Sequence, residues 1–241
     1  MPPRLFVDQP LHAGTTFALP PGPARHVQVL RLQPGAPLTL FDGSGGEWDA
    51  SVTQMGRSDV SVQLGAHHGV DRELPLRVTL ALGMPANERM DAVVEKATEL
   101  GVAAIQPLMC ERSVLRLSGD RATKKVAHWQ AVALSACEQS GRTRVPQIAA
   151  VRTLTQWLQV LPPTTSARWM LSLRDARTVA GMSPPVGEVL CLSGPEGGLS
   201  PAEEAAAQAA GFAAVSLGPR VLRADTAPLA LLAHLGLRCS G

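Results

Sequence analysis

The chain has 241 residues, of which 45% are hydrophobic and 17% charged, and its net charge is +2. This composition excludes a disordered chain and allows a substantial core in one large domain or two ordinary ones. Because no apolar run reaches the roughly 18 residues of a membrane-spanning helix, and the N-terminus lacks a signal pattern, we expect a soluble, cytoplasmic protein.

The first 70 residues alternate between apolar and polar positions, as strands with one buried face do. The alternating segments are PLTLFDG, GEWDASVTQM and SDVSVQL, and a short helix is predicted at ARHVQVLRL. Short strands at this spacing predict a small β-barrel. The polar stretch GAHHGVDRELP, which contains His67 and His68, is predicted to be a loop, and we place the domain boundary after residue 73.

Beyond residue 73, apolar segments without alternation take turns with segments of helical periodicity. The predicted strands, buried on both faces, are LRVTLALGM, VAAIQPL, RWMLSL, EVLCLS and AAVSL. The predicted helices are ERMDAVVEKATELG, DRATKKVAHWQAVALSACEQSG, TLTQWLQVL and a final apolar helix in APLALLAHLGL. Strands that alternate with helices predict an α/β domain over residues 74–241, with a largely parallel sheet.

Two long loops follow predicted strands of this domain, SGPEGGLS at 193–200 and LGPRVLRADTA at 217–227. Open α/β sheets bind ligands beyond the carboxyl ends of their strands, where both loops are expected. The first loop opens a helix for which Ser200 is the predicted N-cap and Glu203 its capping-box partner. Neither loop is a dinucleotide fingerprint or a P-loop, and Glu196 would repel a phosphate at the helix N-terminus. The residues alone therefore argue against a phosphate here, and leave open what the two loops bind or whether either is only a tight turn that needs glycine.

The cysteines and the basic residues carry two further signals. The four cysteines are far apart and no histidine lies at a metal-ligand interval from them, which favours reduced thiols over a zinc site. Between Arg112 and Arg144, seven basic residues face two acidic ones. Such a run is either a solvated helix face or a surface for a polyanion such as RNA.

Several blocks of the chain, in a shared order, resemble one family. They are HVQVLRLQPG, FDGSGGEWDA, KATELGV, ERSV, CEQSGRTRVP, LSGPEGGLSPAE and LGPRVLRADTAPL. In these blocks the chain resembles the bacterial 16S ribosomal RNA uracil-N3 methyltransferases of the SPOUT superfamily, the RsmE family. The resemblance extends almost from end to end of the chain.

The resemblance implies a PUA-like β-barrel that binds RNA in residues 1–73. It implies a SPOUT α/β domain in residues 74–241 whose C-terminal chain forms a deep trefoil knot. The implied cofactor is S-adenosylmethionine, without a metal, and two protomers of a homodimer would complete each active site. The implied partner is 16S ribosomal RNA in the small ribosomal subunit. A carboxylate at Glu196 would not repel such a cationic cofactor.

Carried over residue by residue, the resemblance implies a cofactor site made of three segments. Its residues are Leu171, Ser172, Gly194, Pro195, Glu196, Gly197, Leu217, Gly218, Pro219, Leu222 and Arg223. Arg4 and Arg31 match family positions in the barrel, and we expect them to bind the RNA backbone together with Lys124 and Lys125. Ahead of its RMD block the family often has a lysine or a glycine, whereas this chain reads MPANERMD.

Methylation of uracil N3 requires removal of the N3 proton and a cation near the carbonyl oxygens. The candidates that the resemblance supplies are Glu138 as general base and, as cations, Arg112, Arg142 and Arg223. Glu138 can instead pair with Arg142, four positions on, whose charge also favours the C-terminus of its helix. Arg223 can instead form a structural bridge to Asp225 or Glu196.

Three rival functions stay open on the sequence alone. A SPOUT enzyme that methylates an RNA ribose 2′-hydroxyl would share the two loops, but would leave the N-terminal blocks unexplained. A non-catalytic RNA-binding ribosome-assembly factor would not need both loops intact. A generic nucleotide-binding α/β protein would carry phosphate motifs, which this sequence lacks.

Overall fold

The computed structural model describes residues 2–57, 59–86, 88–163, 166–183 and 185–239. The chain divides into two compact units: unit 1, residues 1–73 with 137–145, and unit 2, residues 74–136 with 146–241. Unit 1 thus includes a second stretch that lies beyond the boundary placed after residue 73.

Unit 1 is built on a five-stranded sheet and one helix. These elements are β1 (Arg4–Phe6), β2 (Thr16–Ala18), α1 (Pro21–Val29), β3 (Pro37–Phe41), β4 (Glu47–Met55) and β5 (Val60–His68). The strand order is β1-β3-β4-β5-β2, with β1 parallel to β3 and the other pairs antiparallel. The three long strands, β3, β4 and β5, confirm the three predicted from alternation, and α1 confirms the helix predicted ahead of them.

The core of unit 1 lies between one face of this sheet and α1. Leu38 and Leu40 of β3, and Val62 and Leu64 of β5, are buried at alternate positions, as the period of two requires. Among the described residues, no pairing joins β2 back to β1. The sheet of unit 1 is therefore open, with β1 and β2 as its two edge strands.

The prediction of a loop at His67 and His68 is wrong, because β5 continues through both. The ring of His67 lies 4.6 Å from that of Trp48 on the paired strand, centroid to centroid. His68 Nε2 lies 2.8 Å from an Asp49 carboxylate oxygen. Cross-strand pairs of this kind extend a strand through polar residues that read as a loop in the sequence.

Unit 2 is built on an eight-stranded sheet in which every described pairing is parallel. Its strands are β6 (Arg77–Gly83), β7 (Ala104–Met109), β8 (Gln147–Ile148), β9 (Arg152–Thr153), β10 (Ala167–Leu171), β11 (Arg177–Thr178), β12 (Glu188–Ser193) and β13 (Ala213–Ser216). The order is β11-β13-β10-β12-β6-β7-β8, and β9 pairs with β7. The predicted parallel sheet is confirmed.

Helices cover both faces of the sheet in unit 2. They are α2 (Glu88–Glu99), α3 (Gly119–Ser140), α4 (Leu154–Gln159), α5 (Pro201–Ala209) and α6 (Thr226–Cys239), with one 3-10 turn at Val179–Gly181. Side chains of α2, α3 and α6 share a core with Val78 and Leu80 of β6, whereas α4 and α5 share another with Ala81. Since successive strand residues face opposite ways, the two cores lie on opposite faces. The predicted α/β class is confirmed.

The helix ends follow the sequence signals. Ser200 accepts the backbone N–H of Glu203, and the Glu203 carboxylate accepts that of Ser200, so α5 begins with the predicted capping box. Gly101 and Gly141 follow α2 and α3 with φ values of +93° and +85°, a conformation that favours glycine. In the part of the chain that the structure describes, no helix has the length and apolarity to cross a membrane.

Candidate cofactor site

A cavity of about 300 Å³ lies in unit 2 at the carboxyl ends of three neighbouring strands, β13, β10 and β12. Its wall consists of residues 171–174, 193–199, 215–217 and 220–222, with Arg112, Glu204, Ala224 and Ala227. Both predicted loops and the segment after β10 therefore contribute to one cavity. This is the edge of an open α/β sheet at which ligands bind.

Eight of the eleven residues predicted for the cofactor line this cavity. They are Leu171, Ser172, Gly194, Pro195, Glu196, Gly197, Leu217 and Leu222. The other three, Gly218, Pro219 and Arg223, belong to the same loop as Leu217 and Leu222 without being among the lining residues. Arg223 is exposed, and its carbonyl oxygen accepts the first N–H groups of α6. The fold thus brings three segments together that are distant in the sequence.

The first loop, residues 194–199, lies directly on the end of β6. A Cβ atom added to Gly83 would lie 2.5 Å from Pro195 Cδ and 2.6 Å from Pro195 N. A Cβ atom on Gly194 would lie 2.9 Å from the backbone N of Leu199. Inside the loop, the N–H of Gly198 donates to the carbonyl of Pro195 at 2.8 Å. Glycine at positions 83 and 194 is therefore a steric requirement of this loop.

Arg112 fixes the same loop from the side of β7. Its Nη1 donates to the carbonyl oxygens of Gly197 at 3.1 Å and of Leu199 at 3.5 Å. A Cβ atom on Gly197 would lie 2.9 Å from Arg112 Cβ, so the two backbones approach closely. We predicted that Arg112 binds the substrate. Its contacts support a different role, which is to position the first loop.

Glu204 also lines the cavity and was missed in the sequence analysis. Its Oε1 accepts a hydrogen bond from the Ser172 hydroxyl at 3.3 Å, and that hydroxyl accepts the N–H of Arg174 at 3.0 Å. Side chains in the first turn of a helix lie over the residues that precede the helix. Because α5 begins directly after the first loop, the position of Glu204 in its first turn could have indicated that this side chain reaches the cavity.

Arg142 and Arg4 belong to unit 1 and are engaged there. The guanidinium of Arg142, which is 4% exposed, forms an ion pair with Glu73, and its Nε donates to the Glu73 oxygens at 3.1 and 3.2 Å. Arg4 pairs with Glu47 and donates to the Arg142 carbonyl at 3.1 Å. These contacts support structural roles for both residues, and substrate contact by Arg142 and RNA contact by Arg4 stay predictions.

Glu138, the predicted general base, also belongs to unit 1. Its Oε1 accepts the N–H of Phe6 at 3.0 Å, and its Oε2 lies 3.9 Å from His26 Nδ1. Burial raises the pKa of Glu138 above its ordinary value near 4.5, against the opposing effects of the Phe6 N–H, His26 and Arg4. The hydrogen bond to Phe6 connects the last turn of α3 with β1.

The remaining RNA candidates lie on the surface. Arg31 is exposed and follows α1 with a φ of +53°. On α3, Lys124 is exposed and Lys125 half-buried, and both line a shallow groove with Asp120, Arg121 and His128. Of the basic cluster predicted from the sequence, Arg121, Lys124 and Lys125 therefore form a continuous basic face on this helix.

The cysteines are free thiols, as predicted. Cys110, Cys137 and Cys191 are buried, and burial raises the pKa of each to about 12. Among the residues that the structure describes, no group of three or more histidine, cysteine, aspartate and glutamate side chains is placed to hold a metal ion.

The domain matches decide the family. Residues 72–236 match the RNA methyltransferase domain, and residues 24–65 match the RNA methyltransferase PUA domain. The chain belongs to the RNA methyltransferase family. This confirms the family that the sequence blocks indicated.

Named relatives of this RNA methyltransferase agree with the domain matches. It is 36% identical over 212 residues to ribosomal RNA small subunit methyltransferase E of Synechocystis, covering 86% of this chain and 68% of the relative. The protein of the same name from Bacillus subtilis is 30% identical over 245 residues, covering 96% and 95%.

Solved structures are similar over the full chain. A ribosomal RNA small subunit methyltransferase E from Neisseria gonorrhoeae, bound to S-adenosyl methionine, superimposes with a TM-score of 0.92 at 38% identity, covering 98% of this chain and 97% of the other. A methyltransferase from Legionella pneumophila, in complex with the same cofactor, has a TM-score of 0.92 at 33% identity, with the same coverage.

Proposed function

We propose that this protein transfers a methyl group from S-adenosylmethionine to N3 of a specific uridine in 16S ribosomal RNA of the small subunit. The observation that carries the proposal is the cavity at the ends of β13, β10 and β12, lined by eight predicted cofactor residues. Relatives named ribosomal RNA small subunit methyltransferase E support the class of RNA. The choice of uracil N3 rests on the family resemblance, and the ribosomal substrate implies a cytoplasmic location.

The cavity fits this cofactor in size and in charge. Its volume of about 300 Å³ is at the lower end of the range of small-molecule sites, about 300–1,000 Å³. S-adenosylmethionine carries a sulfonium, an ammonium and a carboxylate but no phosphate, and the wall offers a carboxylate at Glu204 and guanidinium groups at Arg174 and Arg220. When bound, the cofactor would supply an electrophilic methyl group.

The protein's own residues must bind the uridine, stabilise its oxygens and accept the N3 proton. N3 lies on the Watson–Crick edge, so the base has to be unpaired or extruded. Arg223 is our candidate for the cation near the uracil oxygens, because it is exposed between two residues that line the cavity, Leu222 and Ala224. Arg112 would affect the reaction indirectly, because its hydrogen bonds hold the first loop in place.

For the RNA itself, we propose the basic face of α3 and the exposed Arg31. Arg121, Lys124 and Lys125 project from one stretch of helix and would bind phosphates by releasing counterions. This contact is independent of sequence, so it would orient the RNA without selecting the uridine.

We also propose that the protein is a homodimer with a knotted C-terminal chain, as the family resemblance implies. A shallow, mostly apolar groove supports the dimer. It runs between α2 and α6, where six apolar side chains line it together with Lys96, Asp225 and Thr226; the apolar ones are Ala92, Val93, Leu100, Leu229, Ala230 and Ala233. The knot itself rests on the family resemblance. Light scattering that reports a 25.3 kDa particle at micromolar concentration would contradict the dimer.

Methylation of 16S RNA and of purified small subunits by the protein, followed by mass mapping of nucleosides, tests the function. We expect N3-methyluridine at one position, with full activity in excess chelator. A methyl group on a ribose 2′-oxygen would favour the rival SPOUT activity, and the absence of cofactor binding in a calorimetric titration would favour an assembly factor. Activity that is lost in chelator and restored by a metal acting on the protein would contradict the metal-free site.

A further inference from the structure

The carboxylate of Glu196, although on the cavity wall, is bound by the protein itself. Its Oε1 accepts the backbone N–H of Ala86 at 2.9 Å and lies 3.6 Å from Nη1 of Arg89. Arg89 is in the first turn of α2, whose N-terminal end favours a negative charge. The Glu196 side chain is 29% exposed, so most of its surface is covered by the protein.

Glu196 completes a set of three attachments of the first loop. Pro195 rests on Gly83 at the end of β6, and Arg112 donates to the loop carbonyls from the side of β7. Glu196 ties the middle of the loop to the segment that follows β6. Because the loop backbone lines the cavity, the position of this backbone determines which hydrogen bonds a ligand can form.

We propose that Glu196 is a positioning residue, which holds the first loop in its cofactor-binding conformation through Ala86 and Arg89 without contacting the cofactor. The proposal rests on the proposed function, since it takes S-adenosylmethionine as the ligand. It explains why a carboxylate stands in a glycine-rich loop at the start of a helix. The carboxylate accepts the N–H of Ala86, just before α2, and pairs with Arg89 in the first turn of α2. It also replaces our expectation that Glu196 is a cofactor ligand.

Four variants distinguish positioning from direct contact: Glu196→Ala, Glu196→Gln, Arg89→Met and the double variant Glu196→Gln with Arg89→Met. Glutamine still accepts the Ala86 N–H and loses only the ion pair, which is weak because Arg89 is 44% exposed. We expect Glu196→Ala to raise the Kd for S-adenosylmethionine about tenfold. Without the attachment to Ala86, a smaller fraction of the molecules has the first loop in its cofactor-binding conformation. Glu196→Gln, Arg89→Met and the double variant should each raise the Kd about twofold, since all remove the same pair.

Direct contact predicts a different pattern. If the carboxylate bound the cofactor cation, Glu196→Gln would weaken binding as much as Glu196→Ala, and Arg89→Met would not weaken it. Contact with the sulfonium would also weaken the binding of S-adenosylmethionine more than that of S-adenosylhomocysteine, whose sulfur is uncharged. Positioning changes both Kd values by one factor, as contact with the shared ammonium would, so contact with the ammonium is tested by comparing Glu196→Gln with Glu196→Ala. Either result of direct contact would overturn the proposal. Glu188→Ala, which removes an exposed carboxylate paired with Arg77 at the other end of β12, should change neither Kd.

Hydrogen exchange without cofactor tests the attachment independently of the proposed function. The Ala86 amide should be protected in the parent and in Glu196→Gln, and should exchange at least about tenfold faster in Glu196→Ala, as an amide that loses its acceptor does. An unchanged exchange rate in Glu196→Ala would overturn the proposal. If the parent protein bound no S-adenosylmethionine, the proposed function would fail while this measurement still reported on the attachment.

Discussion

Replacing Gly83 by alanine adds one methyl group at the end of β6, directly beneath the first loop of the cavity. The new carbon would lie 2.5 Å from Pro195 Cδ, where 3.4 Å is the shortest ordinary contact, so the loop has to move by about 0.9 Å. Overpacking of this kind costs about 1–3 kcal/mol of folding free energy. For a chain of this size each kcal/mol lowers Tm by about 2–4 °C, so we expect a folded protein that is less stable by several degrees.

The effect of Gly83→Ala on cofactor binding should be about as large in free energy as its effect on folding. A shift of about 0.9 Å breaks hydrogen bonds that the loop backbone would make, and each is worth about 0.5–1.5 kcal/mol. The loss of two such bonds raises the Kd for S-adenosylmethionine by about fivefold to 150-fold. Calorimetric titration measures the Kd, and thermal unfolding without cofactor measures Tm.

The matched control for Gly83→Ala is Gly181→Ala. Gly181 is exposed in the 3-10 turn, and an added Cβ there would meet no atom within 4 Å. Kd and Tm should both stay at the parental values in this control. If Gly83→Ala bound the cofactor with parental affinity while its Tm fell, the first loop would not be part of the cofactor site.

Three further predictions concern charged residues. Arg142→Ala should lower the free energy of unfolding by about 3 kcal/mol in urea denaturation, because it leaves Glu73 without its largely buried partner; lost turnover at parental stability would instead restore Arg142 as a substrate residue. Since burial raises the pKa of Glu138, the parent should gain stability relative to Glu138→Gln as the pH falls through that pKa towards 4.5, and a difference that is constant between pH 4 and 8 would contradict the burial of a charge. Charge reversal at Lys124 and Lys125 together should flatten the dependence of RNA affinity on salt, by about 0.9 in logarithmic slope for each phosphate that the protein no longer neutralises, in filter binding between about 50 and 200 mM salt. An unchanged slope would mean that this face of α3 does not bind RNA.

The strands and helices that the sequence predicted are those long enough for apolar side chains to repeat at the spacing of a strand or a helix. Strands β3, β6 and β12 and all six helices follow the alternation or helical spacing of their side chains, and Ser200 begins α5 as its capping box requires. The strands that were missed, β1, β2, β8, β9 and β11, have two or three residues each. A pattern of two or three residues has no period, and such strands form because a neighbouring strand is present to pair with them.

The lining of the cavity matches the predicted residues where these lie within the family blocks, and other lining residues were missed because they depend on the fold. The lining residues of the two loops could be carried over from those blocks, because the motifs are continuous in the sequence. Glu204 reaches the cavity only because α5 starts beside it. The contacts of Arg4 with Glu47 and of Arg142 with Glu73 could not be predicted, because partners 43 and 69 residues apart leave no local signal.

Unit 1 draws on two stretches of chain, which has a consequence for the order in which the protein can be made. Arg4 donates to the carbonyl of Arg142, Glu73 pairs with the Arg142 guanidinium, and the N–H of Phe6 donates to Glu138. A ribosome releases the first 73 residues before residues 137–145 exist. Until then these polar groups lack their partners, and buried groups without partners cost stability. Translation therefore has to pass through β6, α2, β7 and α3 before unit 1 can be complete, so unit 1 cannot mature before this first part of unit 2 has been made.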